Sequence, residues 1–476
     1  EKGQRWSLAA GLLRQMLRQG CEANHVSYSA TISACEKGGA WAKAVGLLTA
    51  MPWDRLEPNG ICHNAAVFAC FTSHEWQVAF DLLDDTELRH DAQYCMPIMV
   101  CEQRGLLDHE IAFIRRVASA HGLVHSRSFA AASEIAIAAR LAAANRGRLA
   151  ASVLQEAMQW SGAAANMWRF IGDYRGDLGS IADLPLTQMT RDVPKSLRGV
   201  TGGAAMTPTR TPYDKELQLL EYVLDAARPC DPASICRAVE RFSAEVLGPN
   251  RRWLKVAGGA KSDVLTAAAR QGPPGGCILE VGAYCGFSAL RIACACPGIL
   301  ISSLEVDPVH VVIARNLVAL AGLVHSVNFW TGHSRDVLPH LAATSQPNSP
   351  PFSAIFLDHR GSLFDEDLKN LMRLRLLRVG AVIVADNVLK PGAPVFAWHI
   401  ALGSAFETQV VQIGEFLMDA EDWMTVSVFR GGLLEGAIPP AELERLRLES
   451  DRMRSRSMTQ QGVSVVEWAA FASAMQ

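Results

Sequence analysis

Hydrophobic positions in the first third of the chain recur every 35 residues. Trp6, Trp41 and Trp76 share this period, as do Ala9, Ala44 and Ala79 and the pairs Leu12-Leu13, Leu47-Leu48 and Leu82-Leu83. Met16 with Met51, Cys35 with Cys70 and Asn24 with Asn59 repeat it again. Within one unit, Ser29 to Glu36 reads as a short apolar helix broken by Gly38-Gly39, and Trp41, Ala44, Leu47, Leu48 and Met51 line one face of a second. Each unit is a helical hairpin that buries its apolar face only by stacking on neighbours. Ala-rich helical sequence continues to about Phe170 without the signature. The stretch from Tyr174 to Tyr213 loses periodicity and is rich in Pro and Gly. Beyond it, helical patterns at Lys215–Ala227 and Pro232–Val246 lead into an alternation. Short apolar runs at Cys277–Val281, Leu300–Glu305, Val327–Trp330, Ala354–Leu357 and Ala381–Ala385 read as strands, with helical stretches such as Ser288–Cys296 and Val309–Ala321 between them. Such alternation predicts a mostly parallel sheet covered on both faces. Pro439-Pro440 opens a charged helix, Ala441 to about Arg456, which reads as solvated surface, and Val463–Met475 is apolar enough to dock. The expected organisation is an all-α helical-hairpin repeat (solenoid) domain over 1–174, a linker over 175–212, a doubly wound, Rossmann-like α/β domain over 213–431 and a helical tail over 432–476.

Composition narrows the functional classes. The 476 residues carry a net charge of −3, with 49% hydrophobic and 20% charged residues, so no broad basic surface grips nucleic acid. The most apolar long stretch, Phe129 to Ala144, is interrupted by Glu134 and Arg140, which argues against a membrane span. The twelve cysteines are scattered without CxxC pairs and read as reduced thiols of an intracellular protein. Arg5, Arg14 and Arg18 would suit an amphipathic transit peptide, but the 35-residue period accounts for that segment better. The chain opens with Glu1, and Trp6 is already in register, so further repeats are expected upstream.

Candidate chemistry gathers at the strand ends, where ligands of doubly wound sheets bind. Gly282 and Gly286 make a tight strand-to-helix turn that lacks the G-x-G-x-x-G phosphate fingerprint. Glu305 ends the next strand and suits the two hydroxyls of a ribose, which together suggests a nucleoside cofactor such as S-adenosylmethionine. Asp358 ends AIFLD, and Asp386-Asn387 ends AVIVADN. A single acid at a strand end is often a helix cap; two carboxylates and an amide oxygen together make a hard-oxygen site suited to Mg2+.

Two resemblances follow from these residues. HVSYSATISACEKGGAWAKAVGLLTAMPWDRLEPN (25–59) resembles the pentatricopeptide repeat family, with partial copies beside it. That resemblance implies base-reading roles for Ser29 and Asn59, and for Asn64 with Asp91, and an RNA or protein partner. Residues 1–100, with eight Lys and Arg against eleven Asp and Glu, are poor in backbone-binding charge. ILEVGAYCGFSALRIA (278–293), LEVDP (304–308), FLDH (356–359), ADNVLKPGAP (385–394) and RWLKVAGGAKSDVL (252–265) resemble catechol O-methyltransferase over about Tyr213 to Gly431. This resemblance implies that Ala257, Glu280, Tyr284 and Ser288 surround the methionine part of S-adenosylmethionine beside the Gly282 turn. It implies further that Glu305 binds the ribose, that Ser334, Arg335 and His359 lie near the adenine, and that Asp358, Asp386 and Asn387 ligate Mg2+. Trp253 and Pro391 would wall an aromatic ring whose vicinal hydroxyls face the metal and Asn387. The family's lysine base falls on Gly361, its aromatic gatekeeper on Arg360 and its acceptor-side glutamate on Thr425. Lys390, or the metal's effect alone, is then expected to deprotonate the substrate. The expected function is Mg2+-dependent O-methylation of a catechol-like diol; the alternative is an RNA-binding repeat protein with an inactive or RNA-directed methyltransferase domain. The enzyme family is often cytosolic and the repeat family usually organellar (mitochondrion or plastid).

Overall fold

The computed structural model describes residues 5–21, 23–73, 75–84, 92–120, 133–138, 140–141, 213–250, 252–344, 352–402, 404–418, 420–432, 438–457 and 463–476. The chain divides into two compact units, Glu1–His121 and Gly122–Gln476. Among the described residues no helix is long and apolar enough to cross a membrane.

The first unit is helical: α1 (Arg5–Arg18), α2 (His25–Lys37), α3 (Trp41–Ala50), α4 (Gly60–Thr72), α5 (Trp76–Asp84), α6 (Ala92–Arg104) and α7 (Leu107–Ala120). Many apolar positions on the 35-residue period face its interior, although Leu12 is exposed. Leu13, Cys35, Ala44, Leu48 and Met51 form one buried cluster, with Trp6 and Trp41 packed against it, and Cys70, Ala79 and Leu83 are buried further along. The periodic asparagines start helices. Oδ1 of Asn24 accepts from the amides of Val26 and Ser27, and Oδ1 of Asn59 accepts from Cys62 N at 3.0 Å. Helix α2 therefore begins at His25, four residues before the apolar run. Ser29 Oγ donates to the Val26 carbonyl, and Asn64 lies half-buried on α4. Asp91 and the 175–212 segment fall outside the described residues.

In the second unit, α8 (Asp214–Ala226), α9 (Pro232–Arg241) and α10 (Ala260–Ala269) precede the sheet. Then come β1 (Cys277–Val281), α11 (Phe287–Ala295), β2 (Ile301–Glu305), α12 (Pro308–Leu320), β3 (Val327–Thr331) and α13 (Ser334–Thr344). They are followed by β4 (Phe352–Leu357), α14 (Phe364–Arg373), β5 (Leu377–Ala385) and α15 (Pro394–Leu402), then β6 (Phe406–Gly414) and β7 (Glu421–Phe429). Two helices close the chain, α16 (Ala441–Ser457) and α17 (Val465–Met475). The strand order is β3-β2-β1-β4-β5-β7-β6. The first five strands are parallel and β7 pairs antiparallel with both β5 and β6. Strands β1 and β4 are buried almost throughout and β5 over residues 381–385, as expected of strands covered on both faces. The chain reverses its winding between β1 and β4, and Val281 lies level with Leu304 and Leu357, itself level with Ala385. Glu305, Asp358 and Asp386 therefore emerge side by side at the carboxyl edge, beside the switch point.

Two features differ from the sequence reading. Strands β6 and β7 extend the sheet beyond β5. Helix α16 is not a solvated arm. It packs on the 361–363 and 388–392 segments and on α15, with Ser450 and Met453 buried.

Candidate active site

Local sequence fixes the turn after β1. Gly282 has φ 102°, and a Cβ there would stand 2.5 Å from the Asp358 carbonyl oxygen, so only glycine lets β1 and β4 run this close. The next residues bring Tyr284 N to Glu305, whose Oε2 accepts it at 2.8 Å while Oε1 accepts Asp307 N at 2.9 Å. Burial opposes ionisation of Glu305, but His310 and these two amides hold its carboxyl below the ordinary value. It is thus a charged acceptor at the strand end, as a ribose site requires. The Tyr284 hydroxyl donates to Glu216 on α8 at 2.5 Å.

Glu280 on β1 is fully buried and accepts from Ser303 Oγ. Burial pushes its carboxyl up to about 7, against hydrogen bonds from Ser288 and Ser303. Its Oε1 has no hydrogen-bond partner among the described residues. A buried oxygen left in this way suits an incoming N–H donor, such as an ammonium on a ligand. Ala257 is buried, and the adjoining Gly258 packs so tightly on the Phe416 ring that a Cβ would stand 2.8 Å from it. Ser334 and His359 converge on the buried Asp367: Ser334 Oγ donates to its Oδ1 at 2.5 Å, and His359 Nε2 lies 2.8 Å from its Oδ2. Arg335 is exposed beside them and pairs with Asp336 at 3.5 Å.

The acidic centre holds one residue that the sequence reading passed over. Lys261, at the start of α10, is 1% exposed; its Nζ lies 2.7 Å from Asp386 Oδ1, 2.6 Å from Glu415 Oε1 and 3.0 Å from Asp422 Oδ2. Desolvation disfavours its charge, but the three carboxylates outweigh that and hold it protonated well above the ordinary lysine range. Asn387, with φ 56°, donates Nδ2 to Glu415 at 2.9 Å and to Asp422 at 2.7 Å. With the amide nitrogen turned to two carboxylates, its carbonyl oxygen is left for another partner. Asp358 is pushed well up by burial and then by Asp386. Glu415 is pushed up to about 7 by burial, with Asp422 and Asp386 adding to the shift and Lys261 opposing it.

Asp386, Glu415 and Asp422 thus share one ammonium, with Asp358 within electrostatic reach of Asp386, a negative excess that a divalent cation would relieve. Among the described residues no three His, Cys, Asp or Glu are arranged to hold a metal unaided. The donors available are two carboxylates and an amide oxygen, a hard-oxygen set of the kind Mg2+ takes with its remaining positions open.

On the acceptor side, Trp253 is 48% exposed and Pro391 half-buried. The acids set against Asn387 are Glu415, on the turn between β6 and β7, and Asp422, on β7; Thr425 lies within β7, opposite Ala385. Lys390 brings its backbone amide, which donates to Asp422 Oδ1 at 2.9 Å. Gly361 also has a steric reason: a Cβ there would stand 2.5 Å from the Gly392 carbonyl oxygen. Arg360 turns to α16, pairing with Asp451 at 2.7 Å.

Residues 275–426 match the O-methyltransferase family. The chain is 32% identical over 218 residues to catechol O-methyltransferase of Mus musculus, covering 46% of this chain and 79% of that protein. It is 34% identical over 194 residues to the Bos taurus protein of the same name, covering 40% of this chain and 68% of that one. Among solved structures, an O-methyltransferase from Bacillus cereus in complex with SAH aligns with 22% identity and a TM-score of 0.34, over 40% of this chain and 90% of that one.

Proposed function

The chain belongs to the catechol O-methyltransferase family, and we propose that it transfers the methyl group of S-adenosylmethionine to one hydroxyl of an aromatic vicinal diol in a Mg2+-dependent reaction. The observation that carries this reading is the convergence of Asp358, Asp386 and Asn387 at adjacent strand ends, beside an ionised Glu305 and a Glu280 oxygen without a partner. When bound, S-adenosylmethionine supplies an electrophilic methyl group, and Mg2+ supplies the charge that acidifies a nearby hydroxyl.

The chain's own residues then have distinct tasks. Glu305 accepts from the ribose hydroxyls, and Glu280 receives the ammonium of the methionyl group, with Ala257, Tyr284 and Ser288 around it. Ser334 and His359, tied together through Asp367, edge the adenine. Asp358, Asp386 and the Asn387 oxygen hold the cation. Glu415 accepts from the second hydroxyl of the diol, while Lys261 offsets the charge of the surrounding acids. Trp253 and Pro391 hold the flat ring so that the attacking oxygen lies in line, which is the larger part of such catalysis. Lys261 is committed to three carboxylates, so uptake of the diol proton is assigned to Lys390. In the N-terminal unit Asn59 is engaged as a helix cap, which favours a scaffolding role over base reading.

The test compares wild type with Asp386→Ala on catechol and labelled S-adenosylmethionine. The reading expects Mg2+-dependent product from wild type and at least a hundredfold loss in the variant. A variant as active as wild type removes Asp386 from the site.

A further inference from the structure

Helix α16 lies beyond the residues that match the family, yet it is fastened to both acceptor-side loops. Ser450 Oγ donates to the carbonyls of Pro391 at 2.5 Å and Gly392 at 2.8 Å. Asp451 accepts from Arg360 and from Ser362 Oγ, both at 2.7 Å. One turn further on, Arg454 Nη1 donates to the His359 carbonyl at 2.9 Å, the residue directly after Asp358. Helix α17 seats Phe471 and Met475 against Gly392 from the other side. The loops that carry Arg360, Gly361 and Pro391 are therefore held by the C-terminal helices.

This arrangement leaves an unbalanced charge. Arg454 is half-buried and makes no ion pair among the described residues, since its one hydrogen bond goes to a backbone carbonyl. Lys255, exposed and two residues from the Trp253 wall, also makes no ion pair among them, with Glu216 and Glu305 as the acids within electrostatic reach. Desolvation, then the like charges of Lys215 and Arg454, lower the Lys255 ammonium; desolvation and Arg360 likewise lower Arg454. The acids within electrostatic reach of Arg454 are Asp358, Asp451 and Glu305. Asp451 is taken by Arg360 and Ser362, Glu216 by the Tyr284 hydroxyl and Lys215, and Glu305 by His310 and two backbone amides, while in the proposed reaction Asp358 is taken by the cation. Two neighbouring cations from separate elements then lack a counter-ion at the rim of the acceptor site, which is the electrostatic signature of a place for an anion.

The geometry points to Arg454, with Lys255, as the specificity-determining pair that binds a carboxylate on the acceptor, so that the preferred substrates are acidic vicinal diols. This inference rests on the methyltransferase reading. A carboxylate of the same chemistry is present on the cofactor itself, and the experiment separates the two sources.

The full chain is assayed with Mg2+ and S-adenosylmethionine on 3,4-dihydroxyphenylacetate and on its methyl ester, which differ only in the negative charge. Wild type is expected to show kcat/KM at least tenfold higher for the acid. Arg454→Gln and Lys255→Gln should each cut that preference about tenfold through the KM of the acid, and Arg454→Lys should retain more of it than Arg454→Gln. A wild-type ratio near one overturns the inference, as does an equal loss on both compounds. A rise confined to the KM of S-adenosylmethionine assigns the anion to the cofactor and overturns it too. If neither diol is methylated the methyltransferase reading fails, and the inference is judged by calorimetry with S-adenosylhomocysteine and Mg2+. Binding of the acid at least tenfold tighter than the ester, lost in Arg454→Gln, supports it; equal binding overturns it.

Discussion

Replacing Lys261 by methionine removes the only ammonium paired with Asp386, Glu415 and Asp422 among the described residues, while the methionine keeps most of the side-chain volume. The structure sets the scale of the effect. Lys261 and Asp422 are 1% and 0% exposed at the side chain, Asp386 is 4% exposed, and all three Nζ–O distances are 3.0 Å or less. Removing one partner of such a buried arrangement costs about 3–5 kcal/mol, because the remaining charges stay desolvated without compensation. The loss depends on pH. Without the ammonium, the carboxyls of Asp386 and Glu415, which burial already raises, shift further above their unfolded values. A carboxyl raised in this way is tolerated at low pH and costs stability as pH rises through its folded-state value. The deficit of Lys261→Met should therefore be largest near pH 8 and shrink towards pH 5. Urea unfolding of the full chain at both pH values measures it, and adding Asp422→Asn should recover part of the loss at pH 8. A change below about 1 kcal/mol at pH 8, or a deficit that grows on acidification, refutes a charge-balancing Lys261.

Further expectations follow from single residues. Glu280, raised to about 7 by burial, lowers wild-type stability by up to about 3 kcal/mol as pH climbs from about 5 to above 8; Glu280→Gln should flatten that part of the pH profile, and an unchanged profile contradicts it. Gly361→Lys, which restores the family's lysine, should lower stability by about 1–3 kcal/mol and fail to raise turnover, because its Cβ meets the Gly392 carbonyl; a stable, faster enzyme would reverse that account. Lys390→Ala should lower kcat at least tenfold and change the limb along which kcat rises with pH, because a base acts only when deprotonated, and an unchanged rate and profile removes Lys390 from proton transfer.

The five parallel strands were legible because each is a short run rich in apolar residues between helical stretches, and Glu305, Asp358, Asp386 and Asn387 stand at their ends. Strand β6 escaped notice because one face is solvated, so Phe406–Gly414 carries few apolar residues in a row. The resemblance implies Thr425 at the acceptor-side position; the fold sets Thr425 opposite Ala385 and brings Glu415, from the turn after β6, and Asp422, from β7, to Asn387. Lys261 looked like an ordinary residue near a helix start; its three partners lie 125 to 161 residues away in sequence and meet it only through the fold. Helix α16 was misread for a similar reason. Its Arg- and Glu-rich composition resembles a solvated surface helix, but Ser450, Asp451 and Arg454 occupy the face turned to the site loops. The Asn24–Asn59 repetition was read correctly as periodic, and its physical origin is helix capping.

The central claim is tested most directly by incubating the full chain with S-adenosylmethionine carrying a deuterated methyl group and with catechol, in Mg2+ and again after chelation, and resolving products by mass. The account predicts a singly methylated catechol bearing the label, formed in Mg2+ and reduced at least a hundredfold by the chelator. Absence of labelled product with every vicinal diol tried, or product formation that chelation leaves unchanged, would contradict it.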